Sequence, residues 1–131
     1  MNDQKLKILV IEDEPSLREA ITLKLNSQGM EVIGFESGQK AIDYLKNLTS
    51  LDMLPDLIWL DYYLKDLNGL DFMKELKKYN NLISIPVIVV SNSASPQKVQ
   101  DMLDMGAKKY ILKAENRLDD IVGTMQELIK K

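Results

Sequence analysis

Four stretches of the chain place an acidic, hydroxyl or basic side chain directly after a short apolar run. Glu12 and Asp13 follow LKILVI, Asp61 follows LIWL, Ser91 follows PVIVV, and Lys113 follows KKYIL. The packing of apolar side chains does not require such residues at the ends of these runs. We therefore take these five residues as candidates for chemistry.

Three carboxylates at one place form a binding site for a hard cation. Two carboxylates about 5 Å apart repel by roughly 3 kcal/mol at an effective dielectric constant of about 20, so a cluster of Glu12, Asp13 and Asp61 resists full ionisation unless a cation joins it. Lys113 supplies one positive charge, and Mg²⁺, which couples carboxylates to phosphoryl oxygens, supplies the rest. The residues predict a Mg²⁺-assisted phosphoryl site. In it Asp61 attacks phosphorus, Lys113 neutralises phosphoryl oxygens and Ser91 donates a hydrogen bond.

The composition excludes several other kinds of function. The chain has 131 residues and contains no histidine and no cysteine, which rules out Ser-His-Asp triads, histidine-based zinc sites and disulfides. The net charge of −3 has its signs interspersed and predicts no direct binding to nucleic acid. No apolar window reaches signal-peptide or membrane-spanning length, so we expect no membrane insertion and a cytoplasmic location.

Strand and helix patterns alternate along the whole chain. Apolar runs predict strands at residues 6–11, 31–35, 57–60, 86–90 and 108–112. Helix starts are predicted at Pro15, Ser37, Asn68-Gly69 and Ser95-Pro96, and a final helix carries Leu118 to Ile129. Gly29 and Gly106 are predicted to end the first and fourth helices.

Five strand–helix units in succession predict an α/β fold with a doubly wound parallel sheet between helices. We expect one domain over residues 1–131, because no second composition zone or long linker interrupts the pattern, and no effector domain. In open sheets of this kind, ligands bind beyond the carboxyl ends of the strands, where the candidate residues lie.

The chain resembles the receiver domains of two-component response regulators, and in particular the single-domain receivers of chemotaxis. The resemblance runs roughly from Lys7 to Leu128. It is carried by the acidic pair Glu12-Asp13, by Asp61, by Gly69 in the following turn, by Ser91, and by Tyr110-Ile111-Leu112-Lys113 at strand five.

This resemblance implies a flavodoxin-like three-layer sandwich with strand order 2-1-3-4-5. It implies that Asp61 accepts a phosphoryl group from a sensor histidine kinase or a histidine phosphotransfer protein, which fits a chain with no histidine of its own. It also implies a Mg²⁺ site made by Glu12, Asp13, Asp61 and the backbone carbonyl of Tyr63. Such a domain catalyses only its own phosphorylation and dephosphorylation.

The resemblance further assigns Ser91 and Tyr110 to a switch. In the family, the hydroxyl residue moves toward the phosphoryl group and the aromatic residue turns inward. This changes the face formed by helix four, strand five and helix five, which controls the binding of a downstream protein that the sequence does not identify. A merely packed Tyr110 is the structural alternative.

Some positions depart from the family pattern. Ala114 stands where proline usually follows the lysine, and we expect a trans bond between Lys113 and Ala114, because a cis bond before a non-proline residue costs about 2.5–4 kcal/mol. Tyr63 is bulky at a position that borders the route of attacking water, and we expect Tyr63 and Ser93 to affect the lifetime of the phosphoryl group.

Two alternative functions remain at the level of sequence. A degenerate receiver would bind partners without phosphorylation, and the departures at Asn92 and Ala114 leave this open. A flavodoxin-like enzyme, such as a phosphohydrolase or a nucleotide binder, is less well supported. Tyr63 stands where a dehalogenase-type phosphatase needs a second aspartate, and no glycine-rich phosphate loop is present.

Overall fold

A computed structural model of the protein describes residues 5–129, and in this range five strands alternate with five α-helices. The strands are β1 (Lys7–Ile11), β2 (Glu31–Phe35), β3 (Leu57–Leu60), β4 (Val87–Ser91) and β5 (Lys109–Leu112). The helices are α1 (Pro15–Ser27), α2 (Gly38–Lys46), α3 (Gly69–Leu76), α4 (Pro96–Asp104) and α5 (Leu118–Ile129). No helix within this range is long and apolar enough to cross a membrane.

The strands form one parallel sheet in the order β2-β1-β3-β4-β5, which confirms the predicted fold. Apolar residues cover both faces of the sheet, because successive side chains of a strand point to opposite faces. Leu9, Ile58 and Val89 pack with α2, α3 and α4. Val10 and Trp59 pack on the other face with α1 and α5. The result is the predicted three-layer sandwich.

Three strands differ from the predicted bounds by one residue. β1, β4 and β5 begin after Leu6, Pro86 and Lys108 respectively, and β4 extends through Ser91. Pro86 has no N–H to donate to the sheet, although its carbonyl accepts from the Ile58 N–H at 2.9 Å. Ser91 is therefore the last residue of β4, opposite Leu112, rather than the first loop residue. Two 3₁₀ turns, Leu51–Met53 and Lys113–Glu115, were also missed.

The predicted helix starts are confirmed, and three of the four have a side-chain cap, whereas α1 begins at Pro15 without one. The side chains of Ser37, Asn68 and Ser95 each accept a hydrogen bond from a backbone N–H three residues later, and this satisfies an N–H that has no partner inside its helix. Gly29 and Gly106 have φ angles of 84° and 107° beyond the ends of α1 and α4, a conformation that favours glycine.

Helix α2 receives a second cap from a distant part of the chain. Asp66, in the loop between β3 and α3, accepts from the Gly38 N–H at 3.0 Å and from the Gln39 N–H at 2.8 Å. Its Oδ1 also accepts from the Leu67 N–H at 2.9 Å. Partial burial acts to raise the pKa of Asp66, but these backbone donors together hold that pKa below its ordinary value. The carboxylate therefore joins the loop that follows Asp61 to the start of α2.

We expect Asp66→Ala to lower the free energy of unfolding by about 1–2 kcal/mol, the usual cost of losing an N-terminal cap. Because the pKa of Asp66 is depressed in the folded state, its contribution is present above the unfolded value of about 3.9. It is lost as the pH falls through the folded value. Urea unfolding at pH 7 and at acidic pH measures both effects.

Glu19→Ala is the matched control, since Glu19 is exposed on α1 and makes no ion pair or side-chain hydrogen bond among residues 5–129. A loss of stability as small as that of the control would contradict a capping role for Asp66.

Candidate functional site

Asp61 stands at the carboxyl end of β3, between the ends of β1 and β4. Its N–H donates to the Ile11 carbonyl at 3.0 Å, and its Oδ1 accepts from the Tyr63 N–H at 3.2 Å. The residue is only 6% exposed. The strand therefore continues into a carboxylate whose position is set by backbone contacts on both sides.

The three predicted acidic residues come together. Ile11 of β1 pairs with Leu60 of β3, so the residues that follow these two strands are neighbours. One carboxylate oxygen each from Glu12, Asp13 and Asp61 lies within 4.8 Å of the others. Glu12 is 2% exposed, and its Oε2 accepts from the backbone N–H of Glu14 at 3.2 Å.

Lys113 is the basic member of the site. Its Nζ lies 3.2 Å from Glu12 Oε1 and 3.8 Å from Asp61 Oδ2, so the ammonium group is nearer to Glu12. The bond from Lys113 to Ala114 is trans, as expected, since no described residue follows a cis bond. Lys113 also begins the 3₁₀ turn that the sequence did not predict, and this turn directs the chain away from β5.

The cluster perturbs the acid strength of Asp61. Burial of the carboxyl group, together with the negative charge of Glu12, raises the pKa of Asp61 to about 7, and Lys113 opposes this rise. Burial is the larger cause, and the charges add to it because three carboxylates face one ammonium group. The negative charge of the three carboxylates exceeds the positive charge of Lys113, so a further cation would stabilise the ionised site.

Oxygen ligands without imidazole or thiolate suit a hard divalent cation such as Mg²⁺. The close approach of the oxygens of Glu12, Asp13 and Asp61, two of them on buried residues, fits such an ion. The carbonyl of Tyr63 remains a predicted ligand.

Ser91 lies beside this cluster but is engaged elsewhere. It is fully buried, and its hydroxyl donates to the Ser93 carbonyl at 3.0 Å and accepts from the Ser93 N–H at 3.3 Å. The hydroxyl of Tyr110 donates to the same Ser93 carbonyl at 2.8 Å. One carbonyl oxygen therefore accepts hydrogen bonds from both residues that the family resemblance assigns to a switch.

A contact across the mouth of the site was not predicted. The Tyr63 hydroxyl accepts from the Ser93 hydroxyl at 3.1 Å and from the ammonium group of Lys98. These two contacts lower the pKa of Tyr63, and the contact to Tyr63 raises the pKa of Lys98. Lys98 reads as an ordinary charged residue of α4 in the sequence, and no local signal indicates a partner 35 residues away.

A backbone hydrogen bond joins the two ends of the loop after Asp61. The Gly69 N–H donates to the Tyr62 carbonyl at 2.8 Å. A β-carbon at Gly69 would lie 2.9 Å from the Tyr62 ring and 3.3 Å from the Met102 side chain, which leaves room only for glycine. The turn residue that the sequence singled out is thus required for the close packing of α3 against Tyr62.

Comparison with known proteins assigns this architecture to two-component signalling. The family model of the response regulator receiver domain matches residues 8–125, from β1 into α5. The chain therefore belongs to the response regulator receiver domain family.

Two curated relatives illustrate the range of lengths in which the domain occurs. A probable transcriptional regulatory protein of Picosynechococcus sp. is 33% identical over 97% of this chain, and the match spans half of that protein's length. The two-component response regulator ORR8 of Oryza sativa subsp. indica is 30% identical over 86% of this chain and 89% of its own.

Solved structures agree in fold. The phosphorylated cyanobacterial phytochrome response regulator RcpA superimposes with a TM-score of 0.81 at 29% identity, covering 95% of this chain and 94% of its own. The chemotaxis response regulator CheY4 of Vibrio cholerae has a TM-score of 0.83 at 22% identity, with coverage of 95% and 99%, and supports the fold alone.

We expect Asp61→Asn to stabilise the Mg²⁺-free protein at pH 8. Because the pKa of Asp61 is higher in the folded state than the unfolded value of about 3.9, the folded state binds more protons between these values. The free energy of unfolding of the native protein therefore falls as the pH rises from about 4 to about 7. The amide removes this loss, by about 1 kcal/mol or more at pH 8.

Urea unfolding in the presence of a chelator, followed by circular dichroism, measures this difference. The gap between the native protein and Asp61→Asn should narrow toward pH 4, where the carboxyl group becomes protonated in both states. A gap that does not change with pH would show that the effect has another cause.

Proposed function

We propose that the protein is a phosphoacceptor receiver that takes a phosphoryl group onto Asp61 and uses it to change its binding of another protein. The observation that carries this proposal is the position of Asp61, which is almost buried yet held beside two further carboxylates and the ammonium group of Lys113. No apolar packing requirement explains that group of charges. The family to which the chain belongs uses such a site for phosphoryl transfer.

The phosphoryl transfer needs two reactants only, the Asp61 carboxylate and a phosphohistidine of the donor protein. A carboxylate oxygen of Asp61 attacks the phosphorus of a phosphohistidine on the donor protein, and a phosphorus–oxygen bond forms as the phosphorus–nitrogen bond breaks. The electron pair of the broken bond leaves with the imidazole. The product is an acyl phosphate on Asp61.

The residues around Asp61 have distinct parts in this step. Lys113 pairs with Glu12 and lies near Asp61, so that its ammonium group is available to the charge of the phosphoryl oxygens. Ser91 supplies a hydroxyl donor from the neighbouring strand. Glu12 and Asp13, with Asp61 and the carbonyl of Tyr63, would hold Mg²⁺, which when bound supplies charge neutralisation for the phosphoryl group.

The phosphorylated state of RcpA, the solved relative at 29% identity, supports the proposal that this chain carries the modification too. Its donor would be a sensor histidine kinase or a histidine phosphotransfer protein, because this chain has no histidine. We also propose a cytoplasmic location, because a chain without cysteine forms no disulfide that would need an oxidising compartment.

The hydrogen bonds of Ser93 give the switch a concrete path. If the Ser91 hydroxyl turns to a phosphoryl oxygen, it leaves the Ser93 carbonyl, to which Tyr110 also donates. A rearrangement of Ser93 then frees the hydroxyl of Tyr110 and alters the surface formed by α4, β5 and α5. That surface is the proposed site of the downstream partner. A receiver that binds this partner without phosphorylation is the second candidate, which the departures at Asn92 and Ala114 leave open.

We expect one phosphoryl group per molecule when the protein is incubated with Mg²⁺ and acetyl phosphate, as read by intact mass. The adduct should be absent in Asp61→Asn, because the amide cannot replace the carboxylate that attacks phosphorus at the centre of the acidic cluster. Asp104→Asn, an exposed aspartate on α4, is the matched control and should still be phosphorylated.

The same experiment separates the two candidates. No adduct from either acetyl phosphate or a phosphorylated kinase, together with no binding of Mg²⁺, would favour the degenerate receiver. An adduct that persists in Asp61→Asn would place the acceptor elsewhere.

A further inference from the structure

Tyr63 lies between Asp61 and the loop that follows Ser91, and it contacts both. At its base, the Tyr63 N–H donates to Asp61 Oδ1 at 3.2 Å. At its tip, the hydroxyl accepts from Ser93, whose own N–H and carbonyl both contact the Ser91 hydroxyl. The ring therefore connects the loop after β3 to the loop after β4. Its outer side is open to solvent, and 41% of the residue is exposed.

Lys98 lies in the first turn of α4 and contacts the Tyr63 side chain. Its backbone N–H is fixed by the Ser95 cap at 3.1 Å, and its ammonium group donates to the Tyr63 hydroxyl. The same ammonium group lies 5.5 Å from the centroid of the Tyr62 ring, within the range of a cation–π contact. Two neighbouring aromatic residues thus hold the charged end of Lys98 in one place.

A surface lysine held in this way differs from an ordinary exposed charge. Exposed ion pairs stabilise proteins little, partly because two long side chains must be ordered to form them. Here Tyr63 is stiff, is anchored at its backbone by Asp61, and packs edge-on against Tyr62 with the ring centroids 4.9 Å apart. Lys98 therefore fixes the position of a ring that is already anchored at its backbone, and it does not have to order a second long side chain.

We propose that Lys98 is a positioning residue that holds the Tyr63 ring across the mouth of the acceptor site and so lengthens the lifetime of the acyl phosphate. This inference rests on the proposed function. In the hydrolysis that it slows, a water oxygen attacks phosphorus, the bond from phosphorus to the Asp61 oxygen breaks, and the carboxylate leaves with the electron pair. Inorganic phosphate carries away the oxygen of the water, and the proton goes to solvent.

The position of Lys98 in α4 gives the contact a second consequence. A protein bound at the first turn of α4 would change the freedom of Lys98, and so the access of water to Asp61. The lifetime of the signal and the occupancy of α4 would then be linked through one side chain.

The test is a double-mutant cycle on the rate of hydrolysis. The native protein, Lys98→Met, Tyr63→Phe and the double variant are phosphorylated with acetyl phosphate and Mg²⁺, the donor is removed, and the decay of the adduct is followed by intact mass. We expect Lys98→Met to hydrolyse about three- to tenfold faster, with Lys98→Arg within about twofold of the native rate. In the Tyr63→Phe background, Lys98→Met should have a smaller effect, because the hydroxyl that accepts from the ammonium group is gone.

Lys40→Met is the matched control, because Lys40 is also a lysine in the first turn of a helix, α2, but pairs with Glu36 instead of a tyrosine. It should leave the rate unchanged. Thermal unfolding of each variant confirms that the fold is intact, which is expected because Lys98 lies at the surface.

The outcomes separate this inference from the proposed function. An adduct that forms normally but decays at the native rate in Lys98→Met overturns the role of Lys98 and leaves phosphorylation in place. So does an equal effect of Lys98→Met with and without the Tyr63 hydroxyl. Failure of the native protein to form any adduct overturns both.

Discussion

The parallel register of β1 and β3 is the constraint on which the site depends. Ile11 and Leu60 face each other in the middle of a sheet that is covered on both sides, so the residues that follow them must emerge side by side. Those residues are Glu12 and Asp61, both acidic and both nearly inaccessible to water. Two carboxylates at such a distance repel by about 3 kcal/mol at an effective dielectric constant of about 20. Burial of the strands holds together charges that would otherwise separate, and Lys113 relieves only part of the repulsion.

Much of this arrangement could be predicted from sequence because its signals are local. The apolar runs of the strands, the capping residues Ser37 and Ser95, and the order of the strand–helix units all follow from short-range chemistry. The convergence of the candidate residues then follows from a rule about parallel sheets, which places every carboxyl end at one edge. The structure confirms that Glu12, Asp13, Asp61 and Lys113 meet there.

The rest depends on contacts between distant side chains, for which the sequence carries no periodic signal. Lys113 Nζ lies 3.2 Å from Glu12 and 3.8 Å from Asp61, a difference too small for sequence patterns to predict. The meeting of Ser91 and Tyr110 on one carbonyl depends on the shape of a loop rich in serine. The boundary error at Ser91 had a similar cause, since its pairing with Leu112 is decided by the neighbouring strand.

The two loops beside Asp61 are attached to their helices by different means. On one side, the Asp66 carboxylate, in the loop after β3, accepts hydrogen bonds from three backbone N–H groups, two of them at the start of α2. These bonds fix the loop to the helix. On the other side, α4 is joined to the site by an exposed ammonium group and a phenol. A displacement of Asp61 therefore reaches α2 through backbone hydrogen bonds to one carboxylate, and reaches α4 through side chains alone. Substitutions can remove the connection to α4 at either of its two side chains, whereas half of the connection to α2 is main chain.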